Sequence, residues 1–320
     1  MVIKSIMGAL SPAGRRARLS IFIFHRVLSQ QDPLFPDEPR SEQFDQVLGW
    51  LSKWFQVLPL DQAVAQLRSG TLPARAAAIT FDDGYADNAS NALPILKRHG
   101  MTATFFVATS FLDGGRMWND TLIEAIRGCQ AESLNLSEAG LGRFKLGTVG
   151  ERRLAIDRLL VRVKYLDRDK RDQAVALVQR AVSIALPDDL MMTSRQVVQL
   201  RDAGMQIGAH THTHPILARL PDSESLDEIK TSKRMLETLL GEPVSLFAYP
   251  NGKPDKDYLD KHAEMVRQAG FAAAVSTAAG VSSETTSVFH LPRFTPWDRT
   301  QLPYAIRLMR NLRAAAPQVA

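Results

Sequence analysis

The sequence predicts an α/β protein of largely parallel strands, and three observations carry that reading. Short apolar runs alternate with amphipathic helical patterns along most of the 320 residues. Several of those helical patterns stop at a glycine just ahead of the next apolar run, as at Gly100, Gly204, Gly241 and Gly270. Two groups of chemistry-bearing residues then sit at the carboxyl ends of apolar runs, which is where βα proteins place their active sites.

Seven apolar runs read as strands: Leu19–Phe24, Ala76–Phe81, Ala103–Ala108, Met205–Ala209, Val244–Tyr249, Phe271–Ser276 and a short run near Val288–Leu291. The helices between them carry start and stop signals. Ala92–His99 ends at Gly100. Thr193 or Ser194 caps a helix that runs through Ala203. Leu226–Leu240 places Leu226, Ile229, Leu236 and Leu240 on one face, with Ser225 and Glu228 as a capping box. Tyr258–Ala269 ends at Gly270. The stretch 118–190 breaks the rhythm with a short hairpin near Ser133–Gly147 and two charged helices, 150–165 and 168–185. It reads as a helical insertion at the end of a strand, placed to wall a groove. Leu302–Arg313 reads as an amphipathic helix packed on the domain. The resulting division is an N-terminal segment 1–19, a domain 20–300 containing the insertion, and a C-terminal helix and tail 301–320.

Composition narrows the function classes. The chain is 45% hydrophobic and 23% charged, enough for a sizeable core. Its formal charge of +5 is mixed along the sequence, and no basic tract interleaves with aromatics, so a nucleic-acid partner is not expected. A basic balance does suit peripheral contact with an anionic membrane or glycan. The single cysteine, Cys129, excludes an intramolecular disulfide and agrees with a cytoplasmic rather than periplasmic location. The apolar stretch 5–10 is too short for a signal peptide or a membrane span. Oligomeric state is not legible.

The chemistry lies in two pairs. Asp82 and Asp83 follow the apolar run Ala76–Phe81 and precede Gly84. Adjacent carboxylates repel unless a cation or proton intervenes, so a metal taking one and leaving the other as base is an economical arrangement. Asp-Asp-Gly is also common turn chemistry. His210 and His214 follow Met205–Ala209 with His212 between them. Imidazoles four residues apart on a helical turn can chelate one ion, with Asp83 as an oxygen ligand, while His212 points elsewhere. Two histidines and a carboxylate with open positions make a hydrolytic metal site.

Thr80-Phe81-Asp82-Asp83-Gly84 together with His210-Thr211-x-x-His214 resembles the polysaccharide deacetylases with a NodB-homology domain, carbohydrate esterase family 4. The resemblance spans roughly residues 20–300 and implies a distorted (β/α)7 barrel. It implies that Asp82 is the catalytic base and that Asp83, His210 and His214 hold a divalent metal, zinc first, with cobalt or nickel as alternatives. Thr211 would support the histidine loop. Phe247-Ala248-Tyr249-Pro250-Asn251-Gly252 resembles the groove-lining motif, with Tyr249 and Pro250 at the substrate and the Tyr249 N–H holding the oxyanion. The family's tryptophan motif is absent, and Phe289-His290-Leu291-Pro292-Arg293-Phe294 stands where a Leu-x-His is usual. With Ile23-Phe24-His25-Arg26-Val27, this resembles the branch acting on exopolysaccharides such as poly-N-acetylglucosamine. His25 is then the first candidate for the general acid and His290 the second, either of which could instead be structural. Arg293 could pair with Asp82 and keep it ionised, or form a surface salt bridge. The implied reaction is metal-assisted hydrolysis of N-acetyl groups on an acetylated glycan. The alternatives are an amidase of the same fold acting on a small amide, and a non-catalytic glycan-binding module.

Overall fold

A computed structural model describes residues 2–314. Its strands are β1 (Ser20–Phe24), β2 (Gln56–Val57), β3 (Ala76–Phe81), β4 (Thr104–Val107), β5 (Ser133–Leu136), β6 (Gly142–Lys145), β7 (Gln206–Ala209), β8 (Leu246–Ala248) and β9 (Ala273–Val275). Its helices are α1 (Val2–Leu10), α2 (Ser41–Trp54), α3 (Leu60–Ser69), α4 (Leu93–Arg98), α5 (Trp118–Gly128), α6 (Val149–Val163), α7 (Arg168–Val182), α8 (Ser194–Asp202), α9 (Asp222–Leu240), α10 (Asp260–Gln268) and α11 (Gln301–Arg313).

Seven strands form one parallel sheet in the order β1-β3-β4-β7-β8-β9, with β2 on β3. This is the curled, half-barrel form of the distorted (β/α) barrel. Ala77 pairs with both Ser20 and Val57, so β2 and β4 share the edge of β3 opposite β1. Two residues carry too little pattern to be read as a strand, which is why β2 was not expected.

The seventh expected strand, near Val288–Leu291, is not one. It contributes only a bridge between Leu291 and Val275. Pro292 has no N–H to continue a ladder. The chain instead passes from one sheet edge to the other. The Leu291 N–H donates to the Ala274 carbonyl at 3.0 Å, and the Phe294 N–H donates to the Ile21 carbonyl at 2.9 Å. The Thr295 hydroxyl then accepts from the Ile23 N–H at 2.8 Å. Residues 288–295 therefore join β9 to β1.

Strand alternation sorts the side chains into two cores. Ile21, Ala76, Ala78, Phe106, Ala248 and Val275 fill the inside, closed off by Leu60 and Leu67 of α3. Phe22, Phe24, Ile79, Phe81, Phe105 and Phe247 face outward under α2, α4, α8 and α9. Burying each such large side chain contributes roughly 1.5–3 kcal/mol. The Phe81 and Phe105 rings stack at 4.8 Å between neighbouring strands.

Two local expectations change. The helix expected from Leu226 begins at Asp222, directly after Pro221. Ser225 and Glu228 are not its capping box: the Ser225 hydroxyl donates to the Leu217 carbonyl at 3.2 Å, and Glu228 reaches the histidine loop. The insertion (α5, the antiparallel β5–β6 hairpin, α6 and α7) has its own core around Leu122, Phe144, Leu159 and Val178. Arg127 of α5 ties it to Asp32 at 2.6 and 2.9 Å. The C-terminal helix buries Tyr304, Leu308 and Leu312. Among the described residues, no helix is long and apolar enough to cross a membrane.

Candidate metal centre and catalytic cavity

Asp82 continues the inward row Ala76-Ala78-Thr80 of β3. By alternation Asp83 would face the helices, but its φ of 76° turns the chain and aims it at the loop after β7. Gly84 follows at φ 92°, and a Cβ there would meet the Val107 side chain at 3.2 Å. The turn thus presents both carboxylates on one side of the sheet end.

His210 and His214 do not lie on a helical turn. They flank a loop in which Thr211 and His214 have φ of 62° and 55°. That tight left-handed path brings the rings to 4.8 Å between centroids. The Thr211 hydroxyl accepts from the His214 N–H at 3.1 Å. Glu228 accepts from the N–H groups of His212 and Thr213 at 2.9 and 2.7 Å, a support that sequence reading placed in a helix cap instead. Left-handed conformations at Asp83, Thr211, His214 and Asn251 cost of order 1–3 kcal/mol each and gather at one place.

The side chains then converge. His210 Nε2 and His214 Nε2 lie 3.3 and 3.2 Å from the same oxygen, Oδ1 of Asp83. The ligand atoms of all three lie within 4.8 Å of one another. His210 Nδ1 is 2.7 Å from the Ala248 carbonyl, which can only accept, so Nδ1 carries the proton. That hydrogen bond leaves Nε2 as the nitrogen facing the carboxylate. Two imidazole nitrogens and a carboxylate oxygen converging this closely fit a divalent cation with open positions. Burial alone would raise the Asp83 carboxyl; contacts with His210 and His214 outweigh it and hold the group well below the ordinary range. His212 stands apart, its Nδ1 2.9 Å from the Thr109 hydroxyl.

Asp82 is held differently. Arg293 grips it with both terminal nitrogens, each 2.6 Å from a carboxylate oxygen, and its Nε donates to the Ser276 carbonyl at 2.9 Å. The guanidinium is wholly buried, so this is not a surface salt bridge. Burial would raise Asp82, but Arg293 and then His210 hold it below the ordinary carboxylate range.

A cavity of about 330 Å³ opens over both carboxylates and both histidines, walled by Trp118 and by Leu160, Val161 and Lys164 near the end of α6. His25 lines it and is solvent-exposed. Its backbone is fixed by Asn88, whose amide donates to the His25 carbonyl at 2.8 Å, and by Asp87, which pairs with Arg26 at 2.8 Å. Neither anchor was singled out in the sequence. His290 does not line the cavity. It sits 3.0 Å from the Tyr258 hydroxyl and 3.6 Å from Asp260.

The groove motif also needs correcting. Tyr249 is fully buried, and its N–H donates to the Val275 carbonyl at 3.2 Å within the sheet. Pro250 is buried too and has no N–H. Asn251 is the residue of that motif facing the cavity, beside Thr277, and its N–H has no partner among the described residues. Gly252 makes the turn at φ 68°, where a Cβ would meet the Tyr249 carbonyl at 2.9 Å.

A family model described as polysaccharide deacetylase matches residues 69–135 and 164–274, more than half of the chain. The unmatched stretch between them carries β6 and α6. A curated relative is YxkH of Bacillus subtilis (strain 168), whose name places it among the polysaccharide deacetylases. It is 22% identical over 279 residues, covering 87% of this chain and 71% of that protein. Among solved structures, the deacetylase PplD of Streptococcus pyogenes, in complex with acetate, superposes with a TM-score of 0.62 at 18% identity, covering 93% of this chain and 99% of that one. IcaB from Ammonifex degensii gives 0.59 at 18% identity, covering 95% and 99%. At such identities the likeness shows a shared fold.

Proposed function

Because this chain belongs to the polysaccharide deacetylase family, hydrolases of carbon–nitrogen bonds other than peptide bonds, we propose that it removes N-acetyl groups from an acetylated glycan with the help of a divalent metal ion. The observation that carries this reading is the convergence of Asp83, His210 and His214 beside an Arg293-held Asp82 in one cavity.

Asp83, His210 and His214 would hold the ion, with zinc the first candidate from the nitrogen-rich donor set. A divalent cation there supplies Lewis acidity to the acetamide carbonyl and acidifies a water molecule. Asp82 takes the proton of the attacking water, and each of its oxygens keeps a lone pair beyond its contact with Arg293. The Asn251 N–H, in place of that of Tyr249, would donate to the carbonyl oxygen as negative charge develops, a role supported by its place on the cavity wall and its lack of a partner among the described residues. His25 would donate a proton to the leaving nitrogen as the C–N bond breaks to give a free amine and acetate, and it is reprotonated from solvent while Asp82 releases the proton it took. The test is acetate release from a panel of acetylated glycans by metal-replete protein, with Asp82→Asn as control. Turnover that survives in this variant would remove Asp82 as the base.

A further inference from the structure

A second chamber, of about 280 Å³, adjoins the catalytic cavity and shares His25, Asp83 and Asn119 with it. Its other walls come from Arg26, Tyr85, the loop 28–38 and α5. The volume lies near the small end of ligand pockets, about 300 Å³, and suits a single sugar ring. Phe35 and Ile123 give it apolar surface.

Its charges are unbalanced. Both guanidiniums that line it are already committed: Arg26 to Asp87 at 2.8 Å, and Arg127 to Asp32 at 2.6 Å and to Glu124 at 3.0 Å. Two carboxyl groups remain without a paired cation. Asp120 is buried, and its side-chain partner among the described residues is the Tyr85 hydroxyl, which donates at 3.0 Å. Glu38 is half-buried and makes no side-chain hydrogen bond or salt bridge among the described residues. Burial without sufficient counter-charge raises Glu38 and brings Asp120 up to about 7. A buried and a half-buried carboxyl, both without a paired cation and both facing a ring-sized cavity, suit a ligand that carries positive charge.

We propose that this chamber receives a glycan residue bearing a free amine, the neighbour of the N-acetylated residue presented to Asp83, His210 and His214. The proposal rests on the deacetylase reading above. An ammonium group supplies the missing counter-charge to Glu38 and Asp120, whereas an acetamido group would set a neutral amide against them. The enzyme then favours acetyl groups beside residues already freed, so that its own product becomes part of the preferred substrate.

Two measurements on the full-length, metal-loaded protein test this. The first compares kcat/KM for acetate release from a fully acetylated glucosamine tetramer and from the same tetramer with one free amine. The mixed tetramer should be favoured about tenfold, the scale of one charge-assisted contact, and the ratio should fall toward one in Glu38→Gln and Asp120→Asn. The second is calorimetric titration with a fully deacetylated tetramer, whose affinity should drop about tenfold in the same variants. Both substitutions are nearly isosteric, the amide oxygen that Asp120→Asn introduces can still accept from the Tyr85 hydroxyl, and circular dichroism checks the fold. Equal kcat/KM for the two tetramers, or an affinity untouched by both substitutions, overturns the proposal. Absence of acetate release from either tetramer defeats the deacetylase reading instead, and the calorimetric arm still decides the amine site.

Discussion

Arg293 and Asp82 form a two-pronged ion pair inside the barrel, with both N···O distances at 2.6 Å, the guanidinium wholly buried and the carboxylate buried at the cavity floor. Removing one partner from such a pair leaves the other buried and uncompensated. Arg293→Ala is expected to lose about 3–5 kcal/mol of stability in urea denaturation. The sign on the acid side follows from the depressed Asp82 carboxyl. Its stabilisation is fully present above the ordinary unfolded carboxylate value and is lost as pH falls through the lower folded value. The variant should lack that acid-side loss, and a wild-type-like acid limb in Arg293→Ala would contradict the pairing.

Metal content separates the three clustered histidines. His214→Ala should lose most bound zinc by elemental analysis after dialysis, because His214 Nε2 lies 3.2 Å from Asp83. His212→Ala should keep it, because that ring is turned to Thr109. Equal zinc in both variants would break the proposed ligand set.

Glu228 supports the loop without belonging to the ligand set. Glu228→Leu leaves the His212 and Thr213 N–H groups without their acceptor. Metal affinity should weaken about 10–100-fold while the circular dichroism spectrum is retained. A competition titration giving an unchanged Kd would show that the loop holds itself.

His25 is the proposed general acid because, of the two candidate histidines, it is the one that lines the cavity. His25→Ala should lower kcat by about 10²–10⁴-fold, whereas His290→Ala should stay within a few fold, since only His25 lines the catalytic cavity. A large loss in His290→Ala with His25→Ala near wild type would reverse the assignment.

A separate titration belongs to His262, fully buried on α10, where burial lowers it from 6.5 to about 4. Between those values the unfolded chain binds a proton that the folded chain refuses, so stability rises with pH across that window. His262→Gln should flatten the dependence by up to about 3 kcal/mol before screening by nearby solvent, as read from denaturation midpoints at either end. Parallel pH curves for the two proteins would remove His262 as the source.

The largely parallel βα architecture was legible because its strands are strongly patterned, whereas its barrel form followed from the family resemblance. Ala76–Phe81 was read with the bounds it has, whereas the sorting of Ile21 and Phe22 into opposite cores emerges only in the fold, because both faces of that strand are apolar. The residues of the two site pairs were legible from their types and from their position after apolar runs. What escaped depends on conformation that single residues do not announce. The Asp83 and His214 turns use left-handed backbone at non-glycine positions, so a helical turn was expected where a loop stands. The Tyr249 N–H was assigned to substrate by the family resemblance, and its real sheet partner, Val275, is distant in sequence. Glu228 looked like a cap because its spacing from Ser225 fits one, whereas its real partners lie across the fold.

Residues 288–295 stitch β9 to β1, and Arg293 rides on that same segment. Closing the scaffold and supplying the counter-charge of Asp82 are therefore a single event. Any loosening of that segment would open the sheet and strip a buried carboxylate of its guanidinium at the same moment.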